Sequence, residues 1–163
     1  MTRIRTRARK ALAFVSALAT MATAVTAQGT SPNASAVVTV TSASPFDSTL
    51  ARLERAAAAK GLTVAAKIDH AAAARKAGLT LPPTTLVIAG NPAAGTPLML
   101  ADQTMAVELP LRFLVWQGED GKARVSYDPI KSIAARHKVT GRDELLTRMT
   151  GAIESIVSEA TKP

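Results

Sequence analysis

"DHAAAARKAGLTLPPTTLVIAGNPAAGTPLM", residues Asp69 to Met99, carries three element signals in succession. Asp69 precedes an alanine-rich run that stops at Gly78, the pattern of a short helix with an aspartate cap and a glycine end. "TTLVIAG", Thr84 to Gly90, is a nearly continuous apolar run, as expected of a central strand buried on both faces. "NPAAGTPLM" follows with turn-forming Asn, Pro and Gly, and Thr96-Pro97 reads as a cap and first position of another helix. A buried strand between helices predicts a layered α/β domain.

The flanks extend that pattern. "AVVTVTS" (Ala36 to Ser42) alternates and is β-branched, so it reads as a first strand. In "SPFDSTLARLERAAAAKGL", Ser44 is placed to cap a helix, and Phe46, Leu50, Leu53 and Ala57 share one face up to the stop at Gly61. "LTVAAKI" (Leu62 to Ile68) is a second strand. "LRFLVWQGEDGKARVSYD" reads as a hairpin turning at Asp120-Gly121. Asp128-Pro129 opens a further helix, and a final long helix starts near Thr140 and Asp143, with Leu146, Met149, Ile153 and Ile156 facing inward. The order β-α-β-α-β-α-β-β-α-α predicts an α/β domain of the α+β type spanning 36–163. Its expected form is a two-layer mixed sheet with helices on one face.

The N-terminus is of another kind. Arg3, Arg5, Arg7, Arg9 and Lys10 precede an uncharged run of small and apolar residues ending Val25-Thr26-Ala27, the three-part pattern of a cleaved signal peptide over 1–27. Residues 28–35 are small and polar and read as a disordered lead-in. An exported protein, periplasmic or extracellular, is therefore expected, without a membrane anchor once the leader is removed. The formal charge of +8 then falls to +3, because five cations lie in the leader. That is too small an excess to indicate nucleic-acid binding. With no cysteine, disulfides, thiolate catalysis and cysteine zinc sites are excluded. Only two histidines and no clustered acids argue against a metal centre, and no cofactor motif is present. A small, aromatic-poor domain without disulfides gains from further apolar burial, so a homodimer is expected.

The Asp-His pair after the second strand, the Gly-Asn-Pro-x-x-Gly-Thr-x-x-Met loop and the Leu-Pro…Trp…Asp-Gly…Tyr-x-Pro segment together resemble the domain of unknown function 302 family. The resemblance runs from about Phe46 to the final helix; "SYDPI" is one residue shorter than the family's usual Ser-Tyr-Asn-Asp-Pro. It implies a compact α/β fold that tends to dimerise, often in exported bacterial proteins, and it brings no established activity.

Candidate site residues come from the opening stretch. Asp69 is a favoured N-cap, and His70, in a first helical turn, is placed to hydrogen-bond a ligand or move a proton. Asn91, Gly95 and Thr96 lie beyond the carboxyl end of the buried strand, where α/β sheets bind ligands, and helix-start N–H groups there suit an anion. The bland alternative is that these residues only cap and turn the chain. Tyr127 ends a strand and is placed to line the same crevice; His137, near a helix C-terminus, needs no further role. The leading expectation is a non-enzymatic domain binding a small anion at Asp69, His70, Asn91, Gly95, Thr96 and Tyr127. An enzyme with His70 as general acid–base and Asn91–Thr96 as oxyanion site, and a dimer with no ligand, are the alternatives. Convergence of His70 with the Asn91–Thr96 loop discriminates among them.

Overall fold

A computed structural model of the chain describes residues 37–163. The expected leader and lead-in lie outside the described residues. Eleven elements follow one another: β1 (Val38–Thr41), α1 (Phe46–Ala59), β2 (Thr63–Asp69), α2 (His70–Lys76), β3 (Thr84–Gly90), α3 (Pro92–Ala101), a 3-10 turn (Gln103–Val107), β4 (Leu111–Gln117), β5 (Ala123–Tyr127), α4 (Ile130–Arg136) and α5 (Asp143–Thr161). The strands form one sheet in the order β1-β5-β4-β3-β2.

The α/β order expected from the sequence is the one observed, but every strand pair is antiparallel, where a mixed sheet was expected. Each connection brings the chain back to the end of the strand it left, so the next strand runs the opposite way. Asp69 pairs with Thr85 across α2, and Ala89 with Leu111 across α3 and the 3-10 turn.

Register separates the two faces. Val87 pairs with Phe113, and Phe113 with Tyr127; Thr85 pairs with Val115, and Val115 with Val125. These rows point to one face, where Val87, Phe113, Val115 and Val125 are buried with Leu53 and Ala57 of α1 and Ile153, Ile156 and Val157 of α5. Lys67, in the Val87 row, accordingly reaches Glu54 on α1 at 2.8 Å. Burying each such aliphatic side chain is worth about 1.5–3 kcal/mol. The opposite face carries Leu86, Ile88, Leu114 and Trp116, all half-buried, and an exposed Ile68. Trp116 lies there, its indole N–H donated to Ser126 at 2.8 Å and its ring 5.2 Å from the Arg124 guanidinium.

Several expected caps are otherwise engaged. Ser44 donates its hydroxyl to the Lys162 carbonyl and leaves α1 without a side-chain cap. Asp128 does not cap α4, lying instead 3.8 Å from Arg112, and α5 begins at Asp143 with no side-chain cap. Long-range partners took Ser44 and Asp128.

Candidate functional site

The antiparallel pairing of β2 and β3 divides the predicted site. Asp69 pairs with Thr85 at the start of β3, whereas Gly90, just before Asn91, pairs with Thr63 at the start of β2. Asp69 and His70 therefore lie at one end of the sheet and Asn91–Thr96 at the other, about 20 Å apart along the strands. The convergence expected of a shared crevice does not occur. Asp69 caps α2, its carboxylate accepting the Ala72 N–H at 2.8 Å, and His70 beside it is exposed. The reading of His70 as general acid–base with Asn91–Thr96 as its oxyanion site fails on the same ground.

At the other end, α3 starts one turn earlier than Thr96-Pro97 suggested. Asn91 is its cap: Oδ1 accepts the Ala93 N–H at 2.9 Å while Nδ2 donates to the Gly61 carbonyl at 3.1 Å. Thr96 is an exposed interior position and Pro97 sits within the helix. Removing the Asn91 side chain loses the cap and the tie to Gly61, so Asn91→Ala is expected to cost about 1 kcal/mol. Thr96→Ala is expected to be neutral or slightly stabilising, alanine being the better helix former. Urea melts of the two variants check this, and a loss in Thr96→Ala as large as in Asn91→Ala would contradict the assignment.

Around Asn91 the chain encloses a cleft. Its main lobe, about 450 Å³, is walled by Leu62, Thr63 and Ala65 of the β2 end, by Gly90–Pro92, by Ala94, Gly95 and Met99 of α3, and by Leu109–Leu111. Ala65 falls within the register shift between Val64 and Ala66. Gly90 is required for this wall: a Cβ there would come within 2.9 Å of the Pro110 Cβ. Gly95, buried within α3, is part of the lobe's lining. A second lobe of about 190 Å³ shares Leu62, Asn91, Ala94 and Leu111 and continues along α5 past Leu145, Met149, Ala152, Ile153 and Ile156. Lys60 and Arg148 line this second lobe, and neither lobe has an acidic side chain in its lining. A mostly apolar concavity of a few hundred cubic ångströms with few polar groups is the usual form of a small-molecule site. A wider depression of about 600 Å³ lies beside Ser42–Phe46 and the β4–β5 turn, but its lining is chiefly Ser, Thr, Gly, Gln and Lys.

Tyr127 does not line this cleft. It packs on Phe113, ring centroids 6.4 Å apart, in a narrow crevice with Glu108, Arg112 and Asp128. Burial, helped by the nearby Glu154 charge, raises its hydroxyl above the ordinary tyrosine value and keeps it neutral.

The histidine that enters a polar network is His137. Its Nδ1 lies 2.7 Å from the Thr104 hydroxyl, which donates to Asp102 at 2.6 Å. Its Nε2 lies 3.6 Å from Glu108, which also receives Arg136 at 3.0 Å and Arg112 at 2.6 Å. The hydrogen bond from Arg136 holds the Glu108 carboxyl below the usual range, and that from the Thr104 hydroxyl does the same for Asp102. This network joins the 3-10 turn, the entry to β4 and the end of α4. In the sequence only the Glu108–Arg112 spacing of four hinted at it, because its other members are far apart along the chain.

A two-layer antiparallel α/β domain with an apolar cleft at one end of the sheet defines the class. The family profile for "Domain of unknown function DUF302" matches residues 38–156, and the chain belongs to that family. Among solved structures it is similar to an uncharacterized conserved DUF302 protein from Bacillus stearothermophilus, with a TM-score of 0.70 at 15% identity, covering 76% of this chain and 97% of that one. Among curated proteins it is 39% identical over 105 residues to a fluoride-specific ion channel of Brucella suis and to another of Brucella melitensis. The match covers 64% of this chain but only 41% and 39% of those proteins. Among the described residues, no helix is long and apolar enough to cross a membrane.

Proposed function

We propose that this domain binds a small molecule with an apolar body in the cleft between α3, the β2–β3 end and Leu109–Leu111. The observation that carries the reading is the apolar lobe of about 450 Å³, whose wall includes Gly90 packed closely against Pro110. The sequence-based expectation of an anion cradle at Asp69–His70 and Asn91–Thr96 is thereby relocated: Asn91 and Gly95 belong to the wall, while Asp69, His70, Thr96 and Tyr127 do not. An engineered cavity of about 150 Å³ takes benzene, so this lobe has room for a body of roughly ten to fourteen carbons, allowing for its open mouth.

The test is competition between decanol and the neutral fluorophore N-phenyl-1-naphthylamine. Saturable binding is expected, strengthening about fourfold per added methylene. Ala65→Trp places a ring in the lobe from an exposed strand position and should weaken binding at least tenfold while the fold is kept. Absence of saturable binding, or an Ala65→Trp variant that binds as well as the parent, would reject the cleft as the site.

The relatives suggest a second reading, in which the shared segment serves a fluoride channel. Because the match covers about two-fifths of those proteins, we infer that conduction there resides in the remainder. Fluoride is small and strongly hydrated and has little to gain from an apolar lobe. Displacement of the fluorophore by millimolar fluoride would favour that second reading.

A further inference from the structure

We infer that the cleft selects an amphiphile with an anionic head, carboxylate or phosphate, the head held by Lys60 and Arg148 in the second lobe and the tail in the first. This inference rests on the proposed apolar-body site and adds the ligand's chemical class. The lobes adjoin, with Leu62, Asn91, Ala94 and Leu111 lining both, so a molecule that bends over that shared rim can reach from one into the other. Their character differs along that path. The α3 lobe has no charged lining residue, whereas the α5 lobe has two cations and no acid.

The two cations arrive from separate elements for ordinary reasons. Lys60 closes α1, where a cation complements the helix dipole, and its backbone N–H is spent on Ala56 and Ala57. Arg148 sits one turn inside α5, directly before Met149, which lines the same lobe. Its ion pair is with Glu144, at 3.8 Å between two highly exposed side chains, a contact too weak to hold the guanidinium against a better acceptor. Asn91 between the lobes is committed to Ala93 and Gly61, so the wall it forms is fixed and the cations alone are free to adjust to a head group. Arginine offers a planar fork to two oxygens and lysine a point charge, a pair suited to a carboxylate or a phosphate.

The experiment compares decanol, decanoate and decyl phosphate, each below its micelle concentration, by the same fluorophore competition on the full domain. Decanoate and decyl phosphate are expected to bind about tenfold more tightly than decanol at low salt, as two partly exposed charge contacts allow. The advantage should shrink toward unity in 0.5 M salt. Lys60→Gln combined with Arg148→Gln should abolish it, bringing the three ligands to equal affinity. The ratio between the two anionic ligands identifies the head group. Equal affinity for decanol and both anions in the parent would overturn the anionic-head inference while leaving the apolar site intact. An advantage that survives in the double variant would overturn the assignment to Lys60 and Arg148. Failure of all three ligands to bind would overturn both readings.

Discussion

Phe113→Ala is expected to destabilise the domain by about 3–5 kcal/mol, the cost of removing a large ring from a packed interior and leaving a cavity. Phe113 is 1% exposed and lies in β4, between β3 and β5 in the sheet. Val87 and Tyr127 flank it in register, and Ile133 of α4 and Ile153 of α5 line the crevice it faces. A domain of this size has a total stability of about 5–15 kcal/mol, so the loss is a large fraction of the whole. Denaturant melts should show the midpoint fall with the slope unchanged. Phe113→Leu keeps most of the volume and should cost less than about 1.5 kcal/mol. Because Phe113 itself lines neither lobe of the cleft, the leucine variant should also retain ligand binding. A loss under 1 kcal/mol in Phe113→Ala would show that the β4 face is not the centre of the core.

Glu108→Gln is the second large effect, expected to cost about 2 kcal/mol at neutral pH, in the range for hydrogen bonds to charged groups. The Glu108 side chain is only 14% exposed and serves Arg112 and Arg136 at once, with His137 alongside. Glutamine keeps the shape and loses the charge. The pH dependence follows from the direction of the Glu108 shift. Its carboxyl is held below the usual value of 4.5 in the folded protein, so the folded state favours the ionised form. The stabilisation is therefore fully present above about 4.5 and is lost as pH falls through the lowered folded value. The difference between parent and Glu108→Gln should be widest near neutrality and close in the acid range below 4.5. A difference that stayed constant from pH 7 to pH 3 would mean that charge is not what Glu108 contributes.

Local chemistry in the sequence determined the elements themselves. The Asp69 cap with its alanine run, the apolar Thr84–Gly90 strand, the Asp120-Gly121 turn and the α5 stripe of Leu146, Ile153 and Ile156 were all legible, because capping, turn geometry and periodicity act within a few residues. The motifs that marked the family were legible for the same reason. Only the tertiary structure decided which ends of the elements meet. The sequence places His70 and Asn91 each at a strand–helix junction, and a parallel pairing of β2 and β3 would have set both junctions at one edge. Antiparallel pairing of β2 and β3 put them at opposite ends of the sheet. The same folding brought Lys60 and Arg148 to one lobe and Glu108 and His137 to one network. Those pairings depend on contacts between residues tens of positions apart, and no local pattern carries that information.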